Sequence, residues 1–405
     1  MEQQDTGKEG KSLKYLLAAL YLVAAFAFGF LAKEPAERIF LQQQQAAQAS
    51  LDFSYLDEVL TKLEGNFVNP QDIDQNKLIY GAARGMVEAS GDAYTTFFDP
   101  DETKSFQEDI AGSFDGVGMQ VEVKNERLTV VAPIKDTPAW KGGILAGDQV
   151  LKVNGTSTIG MSANKAVTLI KGPKGTEVIL TIFREGWKET KDFKLVRDTI
   201  NLPSVELEYK EINGKKIAHL TILQFSDVVY NDFQKSAQDI SNNKVQGIIL
   251  DLRNNPGGLV NQAQNIAGWF LDKNSIILKE KLRSGDIKEY KSNGPSYFSS
   301  IPVAILSNKG SASASEILMA ALHDNRNIAI IGETSFGKGS VQQLFDLYDG
   351  SSIKITIAKW LTPEGKAIDG QGIKPDLEVK MTADDYEQKK DPQMDKAMEI
   401  ISSEI

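Results

Sequence analysis

From residue 200 onward, apolar runs typical of buried strands alternate with amphipathic helical segments. Four runs fit strands: 217–223, 245–252, 303–306 and 328–331. Helical spacing of apolar residues lies between them, at 230–242, 263–271 and 314–324. This strand–helix rhythm predicts a largely parallel sheet with helices packed on it. We therefore expect an α/β core over residues 199–380.

The residues before this core show two other patterns. Apolar residues at helical spacing predict an N-terminal helical module over 51–112. Short alternating runs punctuated by glycines predict a compact, β-rich α+β module over 113–198. A last segment, 381–405, ends in an amphipathic helical pattern. The chain is therefore predicted to be a multidomain α/β protein.

The N-terminal residues indicate where in the cell the protein is located. Residues 15–32 form an uncharged, mostly apolar stretch of 18 residues, which is long enough to span a bilayer. Ala25-Phe26-Ala27 resembles a signal-peptide cleavage site, but the apolar run continues past it. We favour a retained transmembrane helix, with 1–14 as a cytoplasmic tail and 33–50 as a linker. The prediction is a single-pass protein of the cell membrane whose bulk is extracytoplasmic, or a secreted protein if the segment is cleaved.

Composition removes several classes of function. A net charge of −10 argues against nucleic-acid binding, because no basic surplus is present to neutralise phosphates. The absence of cysteine excludes a thiol nucleophile and a cysteine-ligated zinc. Of the two histidines, His219 lies within a strand pattern and His323 near a helix end, so both are expected to be structural.

Ser313 is placed where a strand and a turn lead into a helix. Such an elbow presents a hydroxyl, and the amides at the start of the helix can stabilise an oxyanion. The segment Ser313-Ala314-Ser315-Glu316 also matches the S-x-x-E capping box, which is a structural device. A cap and a nucleophile can occupy the same position, so both interpretations stay open.

Lys338 lies in a glycine-flanked run, 25 residues after Ser313. It can deprotonate a serine only if burial lowers its pKa from about 10.4 toward about 7–8. Gln342 is close enough in sequence to orient its amine. Taken alone, a lysine in a glycine-rich turn is more often a solvated surface residue. The run also resembles a nucleotide-binding loop, but Gly339 replaces the Ser/Thr that ligates magnesium, so we reject an ATPase.

A third segment, 251–258, follows a buried strand and ends in Pro256-Gly257-Gly258. Glycine lets backbone amides approach a ligand closely, which suits the second half of an oxyanion hole. An ordinary strand-to-helix turn explains the pattern equally well.

Together the three segments resemble the carboxy-terminal processing peptidases, or tail-specific proteases, of the S41 family. The motifs are Gly-Ser-Ala-Ser-Ala-Ser-Glu-Ile at 310–317, Phe-Gly-Lys-Gly-Ser-Val-Gln at 336–342 and Asp-Leu-Arg-Asn-Asn-Pro-Gly-Gly at 251–258. The resemblance implies a nucleophile at Ser313, a general base at Lys338 and a base-orienting residue at Gln342. It also implies an oxyanion hole from the amide of Ala314 with one from Gly257 or Gly258.

Residues 113–198 resemble the PDZ module of that family. The loop Gly116-Val117-Gly118-Met119 is similar to the one that captures a C-terminal carboxylate, and 142–155 to a second PDZ signature. The resemblance implies protein substrates with free C-termini, a homodimer, and neither cofactor nor metal. The prediction is thus a Ser/Lys endopeptidase acting through an acyl-enzyme; the alternative is an inactive PDZ adaptor that binds tails without cutting them.

Overall fold

A computed structural model describes residues 52–124 and 126–405. The described residues divide into two units, one ending at residue 78 and the other spanning 79–405. The predicted cytoplasmic tail, transmembrane helix and linker, at 1–14, 15–32 and 33–50, lie outside the described residues. Within the described residues, no helix combines the length and the apolarity needed to cross a bilayer.

The first unit contains helix α1 (Ser54–Asn66), a short 3-10 helix (Pro70–Asp72) and the first turn of α2 (Gln75–Glu88). The second unit continues α2 and adds strand β1 (Thr96–Phe98) and helix α3 (Pro100–Ala111). Asp99 begins α3 with a capping box, since its carboxylate accepts from the Glu102 amide and its own amide donates to the Glu102 carboxylate. The region predicted to be a helical module therefore also contains a strand.

Residues 113–201 form the β-rich part. Its strands are β2 (Ser113–Gly116), β3 (Met119–Lys124), β4 (Arg127–Pro133), β5 (Gln149–Val153), β6 (Thr156–Ser157), β7 (Glu177–Phe183), β8 (Lys191–Val196) and β9 (Asp198–Asn201). Two short helices accompany them, α4 (Pro138–Lys141) and α5 (Ala163–Ile170). The sheet runs β3-β4-β5-β7-β8 with β6 on β5, and β2 pairs with β9. Strict alternation of buried residues along β7 places Val178, Leu180 and Ile182 in one apolar core.

The α/β part begins after this module. Its strands are β10 (Val205–Ile212), β11 (Lys215–Ile222), β12 (Gly247–Asp251), β13 (Ile276–Leu282), β14 (Ile287–Lys291), β15 (Val303–Ser307), β16 (Ala329–Gly332), β17 (Ser340–Asp346), β18 (Ser352–Leu361) and β19 (Leu377–Glu378). Its helices are α6 (Val229–Asn242), α7 (Val260–Phe270), α8 (Ala314–Arg326), α9 (Ala383–Glu387) and α10 (Pro392–Glu404). The strand and helix types predicted in this region are confirmed, with ends that differ by a few residues.

The main sheet is buried on both faces. Its order is β10-β11-β12-β15-β16-β19, and every pair but β10–β11 is parallel. Ile248 and Leu250 face the cluster that includes residues of α6, α7 and α8, whereas Ile249 faces Ala397 and Ile401 of α10. Two covered faces explain the continuous apolar runs in the sequence. The parallel arrangement also brings the turns that follow β12 and β15 to the same sheet edge.

A second sheet could not be predicted from local patterns. It is antiparallel, in the order β1-β18-β13-β14, with β17 also on β18. Thr96 of β1 lies opposite Lys354 of β18, a partner from the far end of the chain. This pairing places the segment just before β1 beside the loop that leads into β17.

Candidate active site

Ser313 occupies the N-cap position of α8. Its φ of 53° and ψ of −113° lie in a region that a residue with a Cβ rarely adopts, as expected for a sharp strand-to-helix elbow. The neighbouring Ser311 and Ser315 are buried, and their hydroxyls donate to the carbonyls of Leu252 and Asn255. Ser313 is half-buried. Of the three serines in the motif, Ser313 is therefore the one that the fold presents at the surface.

Glu316, in the first turn of α8, joins the serine loop to the lysine loop. Its Oε2 accepts from the amides of Ser313 at 2.8 Å and Lys338 at 3.0 Å. Its Oε1 accepts from the Ser335 hydroxyl at 2.6 Å and the Gly337 amide at 2.7 Å. The carboxylate is fully buried, so all four bonds form away from water. Glu316 therefore has the predicted capping role at Ser313 and also binds the loop that carries Lys338.

Lys338 is half-buried in the loop before β17. Burial lowers the pKa of Lys338 and the positive charge of Lys354 lowers it further, while Glu316 and Asp92 act in the opposite direction. The ammonium lies 5.1 Å from the centre of the Tyr94 ring. Within the described part of the chain it forms no hydrogen bond with the Ser313 hydroxyl. The two loops are thus adjacent through their backbones, and the lysine side chain faces Tyr94.

The glycines around Lys338 allow a close approach of two loops. A Cβ on Gly337 would lie 2.7 Å from the amide nitrogen of Gly372, and one on Gly339 would lie 2.8 Å from the Cβ of Asp369. Gly337 also has a φ of +91°, which favours glycine. The Trp360 indole donates to the Lys338 carbonyl at 2.8 Å. The lysine backbone is consequently held on both sides.

Gln342 lies on β17 at a bulge, where the pairing with β18 shifts register. Its amide nitrogen donates to the Ser340 hydroxyl at 2.8 Å and to Thr356 at 3.3 Å. Among the residues that the structure describes, it forms no hydrogen bond with the Lys338 ammonium. Orientation of the base by Gln342 therefore stays a prediction.

The glycine turn after β12 packs directly against Ser313. A Cβ on Gly257 would lie 2.7 Å from the Ser313 Cβ and 2.9 Å from the Ala314 nitrogen, so only glycine fits there. The Gly257 amide is used by the Asn255 side chain, at 2.9 Å. Gly258 is exposed, and its amide has no acceptor among the described residues, as is also the case for Ala314. Of the two glycines, Gly258 thus has the amide that a substrate could use.

A buried network of ion pairs holds the residues that lead into this glycine turn. Arg253 is bound to Asp251 at 2.7 Å and to Asp391 of the segment before α10 at 2.9 Å. His219 contacts the same Asp251 carboxylate at 3.1 Å. Burial acts to raise the pKa of Asp251, but the bonds from His219 and Arg253 outweigh it and hold that pKa below its usual range. His219 thus belongs to the scaffold of the turn.

The four residues predicted to bind a tail line one small cavity. It has a volume of about 50 Å³ and is lined by Phe114, Gly116, Val117, Gly118, Met119, Val121, Val167, Ile170 and Lys171. Gly118 has a φ of +74°, and a Cβ there would collide with Thr137, whose hydroxyl donates to the Gly118 carbonyl. Lys171, at the cavity, forms a 2.6 Å ion pair with Glu108 of α3.

We predict that Glu316→Gln destabilises the protein. The amide nitrogen of glutamine cannot accept, so two of the four donors lose their partner, and a buried unpaired donor costs about 1–3 kcal/mol. The urea midpoint should fall clearly below that of the wild type. The matched control is Glu364→Gln, whose side chain is 52% exposed and should leave the midpoint nearly unchanged. Equal midpoints for both variants would contradict the bridging role.

Comparisons with known proteins identify the family. The model of peptidase family S41 matches residues 216–379, and a PDZ domain model matches 129–184. The carboxy-terminal processing protease CtpA of Bacillus subtilis is 40% identical over 346 residues, covering 85% of this chain and 72% of the relative. CtpB of the same organism is 36% identical over 308 residues, covering 76% and 64%.

A solved structure from Bacteroides fragilis, described as a candidate S41 protease, has the same fold. Its TM-score is 0.52 at 16% identity, covering 80% of this chain and 90% of that one. This likeness shows the fold, and the 40% identity to CtpA over 85% of the chain shows the family. The chain belongs to the S41 carboxy-terminal processing serine proteases and carries a PDZ domain.

Proposed function

We propose that the chain is a serine endopeptidase in which Ser313 is the nucleophile and Lys338 its general base. The observation that carries this proposal is the buried Glu316 carboxylate, which binds the backbone amides of both residues at 2.8 and 3.0 Å. A hydroxyl at a strained elbow and a half-buried amine on the next loop are the two components that an acyl-enzyme mechanism needs. Neither component requires a metal or an organic cofactor.

The reaction begins with lysine in its neutral form. The amine accepts the Ser313 proton while the oxygen attacks the scissile carbonyl, and the amides of Ala314 and Gly258 donate to the resulting oxyanion. The ammonium then gives its proton to the leaving amine, which leaves an acyl-enzyme. Water, deprotonated by the same lysine, then attacks the ester, and the ammonium returns that proton to the Ser313 oxygen as the acid product leaves. The amine forms no hydrogen bond with the Ser313 hydroxyl within the described residues, so the first step requires these two groups to come into hydrogen-bonding distance.

The surroundings of Lys338 favour its neutral form. Burial and the charge of Lys354 both lower its pKa, whereas no carboxylate forms an ion pair with it in the described residues. The uncharged Gln342 suits an orienting role on this loop, because a carboxylate would raise the pKa of the lysine again. We keep Gln342 as part of the proposed site on that ground.

Substrate tails are proposed to dock on the cavity at 116–119. Backbone amides of that loop would bind the terminal carboxylate, and the cavity of about 50 Å³ would hold a small aliphatic terminal side chain.

The protease is further proposed to act outside the cytoplasm, held at the membrane by residues 15–32 or secreted if that segment is cleaved. A homodimer is proposed on the family resemblance.

Removal of either reacting group should abolish cleavage. We expect Ser313→Ala and Lys338→Met to lower kcat/KM for an unfolded protein substrate by about a thousandfold or more, as for other members of a catalytic dyad or triad. Ser300→Ala and Lys374→Met, at exposed positions, are the matched controls and should cleave like the wild type. Cleavage by both dyad variants at wild-type rates would refute the assignment. A wild type that binds tails and cuts nothing would instead favour the adaptor.

The pH dependence tests the base directly. Only neutral Lys338 accepts a proton, so kcat/KM should fall about tenfold per pH unit below its lowered pKa. Lys354→Met removes a positive charge that disfavours the ammonium, so it should raise the pKa of Lys338. The acid limb of the profile, where kcat/KM falls as the pH falls, should then move to higher pH. Lys359→Met, on the same strand but 67% exposed, is the control and should leave the limb in place. A profile without an acid limb would rule out a lysine base.

Tail docking depends on a free carboxylate. Amidation of the substrate's C-terminus removes the negative charge that the 116–119 amides would bind, so we expect the Kd measured by fluorescence anisotropy to rise at least about tenfold. The control is a peptide that keeps its C-terminal carboxylate and has one internal carboxylate replaced by an amide. Equal affinity for acid and amide would exclude carboxylate capture at this cavity.

A further inference from the structure

The segment before β1 is firmly attached to the sheet that bears the active-site loop. The Asp92 carboxylate accepts from the Tyr94 amide at 3.3 Å and from the Thr95 hydroxyl at 2.5 Å. The Thr95 hydroxyl oxygen also accepts from the amide of Thr356, a β18 residue, at 3.1 Å. Since Thr356 also contacts Gln342, the segment is bound to the strand pair that follows Lys338.

This attachment places the ring of Tyr94 against the catalytic amine. The Lys338 ammonium lies 5.1 Å from the ring centre, within the range of a cation–π interaction. Tyr94 is half-buried, so the contact is partly shielded from water. Its hydroxyl forms no hydrogen bond with the residues that the structure describes. The ring, and not the hydroxyl, is therefore the part of Tyr94 that the site uses.

The charged groups near Lys338 have hydrogen-bonding or aromatic partners of their own. Glu316 is occupied by its four donors, and Asp92 by Tyr94 and Thr95. Lys354 repels the ammonium and has its own aromatic partners, Phe98 at 5.3 Å and Phe106 at 5.2 Å. Both carboxylates favour the ammonium through their charge, and the Tyr94 ring adds a direct contact with it.

We infer that Tyr94 is a positioning residue for Lys338, whose ring holds the ammonium that forms when the lysine takes the serine proton. This inference rests on the proposed roles of Ser313 and Lys338. A neutral amine has no such attraction to the ring, so the ring does not oppose the neutral form that accepts the Ser313 proton. A carboxylate in the same place would fix the lysine as a cation, whereas an aromatic face stabilises the cation only modestly. The ring thus stabilises the ammonium form of Lys338 without preventing the amine from becoming neutral.

Substitutions at Tyr94 separate the ring from the hydroxyl. Tyr94→Phe keeps the ring and should retain kcat and the pH profile of the wild type. Tyr94→Leu keeps apolar cover but removes the aromatic face. We expect it to lower kcat by about 3- to 30-fold with little change in KM. Its acid limb should move to lower pH by about half a unit to one and a half units, because the ammonium loses a stabilising contact.

Controls distinguish this role from packing and from failure of the proposed function. Tyr80→Leu is the matched control, because the Tyr80 ring packs on Phe97 in the same region and its hydroxyl bonds Asp349. It should leave the acid limb in place. Circular dichroism checks folding, and Tyr94→Met replaces Tyr94→Leu if the latter does not fold. Lys338→Met is measured in parallel, and full cleavage by it would refute the lysine base itself.

The results that overturn the inference are specific. With Lys338→Met inactive, a wild-type kcat and pH profile for Tyr94→Leu would show that the ring does nothing for the base. A lowered kcat with an unmoved acid limb would assign Tyr94 to packing alone. An equal loss in Tyr94→Phe would transfer the role to the hydroxyl. Each of these outcomes excludes the ring as the holder of the ammonium.

Discussion

The buried carboxylate of Glu316 is the interaction on which the site depends. Two loops that follow different strands, at 308–313 and 333–339, meet because one side chain accepts from both. Its position in the first turn of α8 adds the favourable field of the helix N-terminus to four hydrogen bonds, which together offset the cost of burying a charge. The serine elbow and the lysine loop are consequently parts of one hydrogen-bonded unit.

The sheet topology explains why that unit forms where it does. Parallel strands β12 and β15 end at the same edge, so the turns after them lie side by side, and Gly257 can pack on Ser313 without a Cβ between them. The Asp251–Arg253–Asp391 network fixes the base of the glycine turn and joins it to the segment before α10. The backbone of the glycine turn is thereby held by ion pairs that lie before it in the chain and before α10.

Local pattern was enough to predict the main sheet and its helices, because their strands are buried on both faces and their helices are amphipathic. It also singled out Ser313, Lys338 and the glycine turn, since each stands in a short motif. It could not predict β1 or the position of Tyr94, because Thr96 pairs with Lys354 across most of the chain and no periodicity records that partner. The sequence indicates only a cap at Glu316 for the same reason: its partners Ser335, Gly337 and Lys338 lie on another loop. The choice between Gly257 and Gly258 needed the side chain of Asn255, which occupies one of the two amides.

A lysine with the role proposed for Lys338 must be able to lose its charge and then carry it for part of each cycle. A nearby carboxylate would ordinarily favour the ammonium and defeat the first requirement. Here Glu316 is close to Lys338, yet both of its oxygens are directed at amides and a hydroxyl, so its contact with the lysine residue is through the backbone nitrogen and not the ammonium. Burial and Lys354 lower the pKa of Lys338 more than Glu316 and Asp92 raise it, while the aromatic face of Tyr94 contacts the cation. The same carboxylate can therefore join the two loops without forming an ion pair with the lysine proposed as the base.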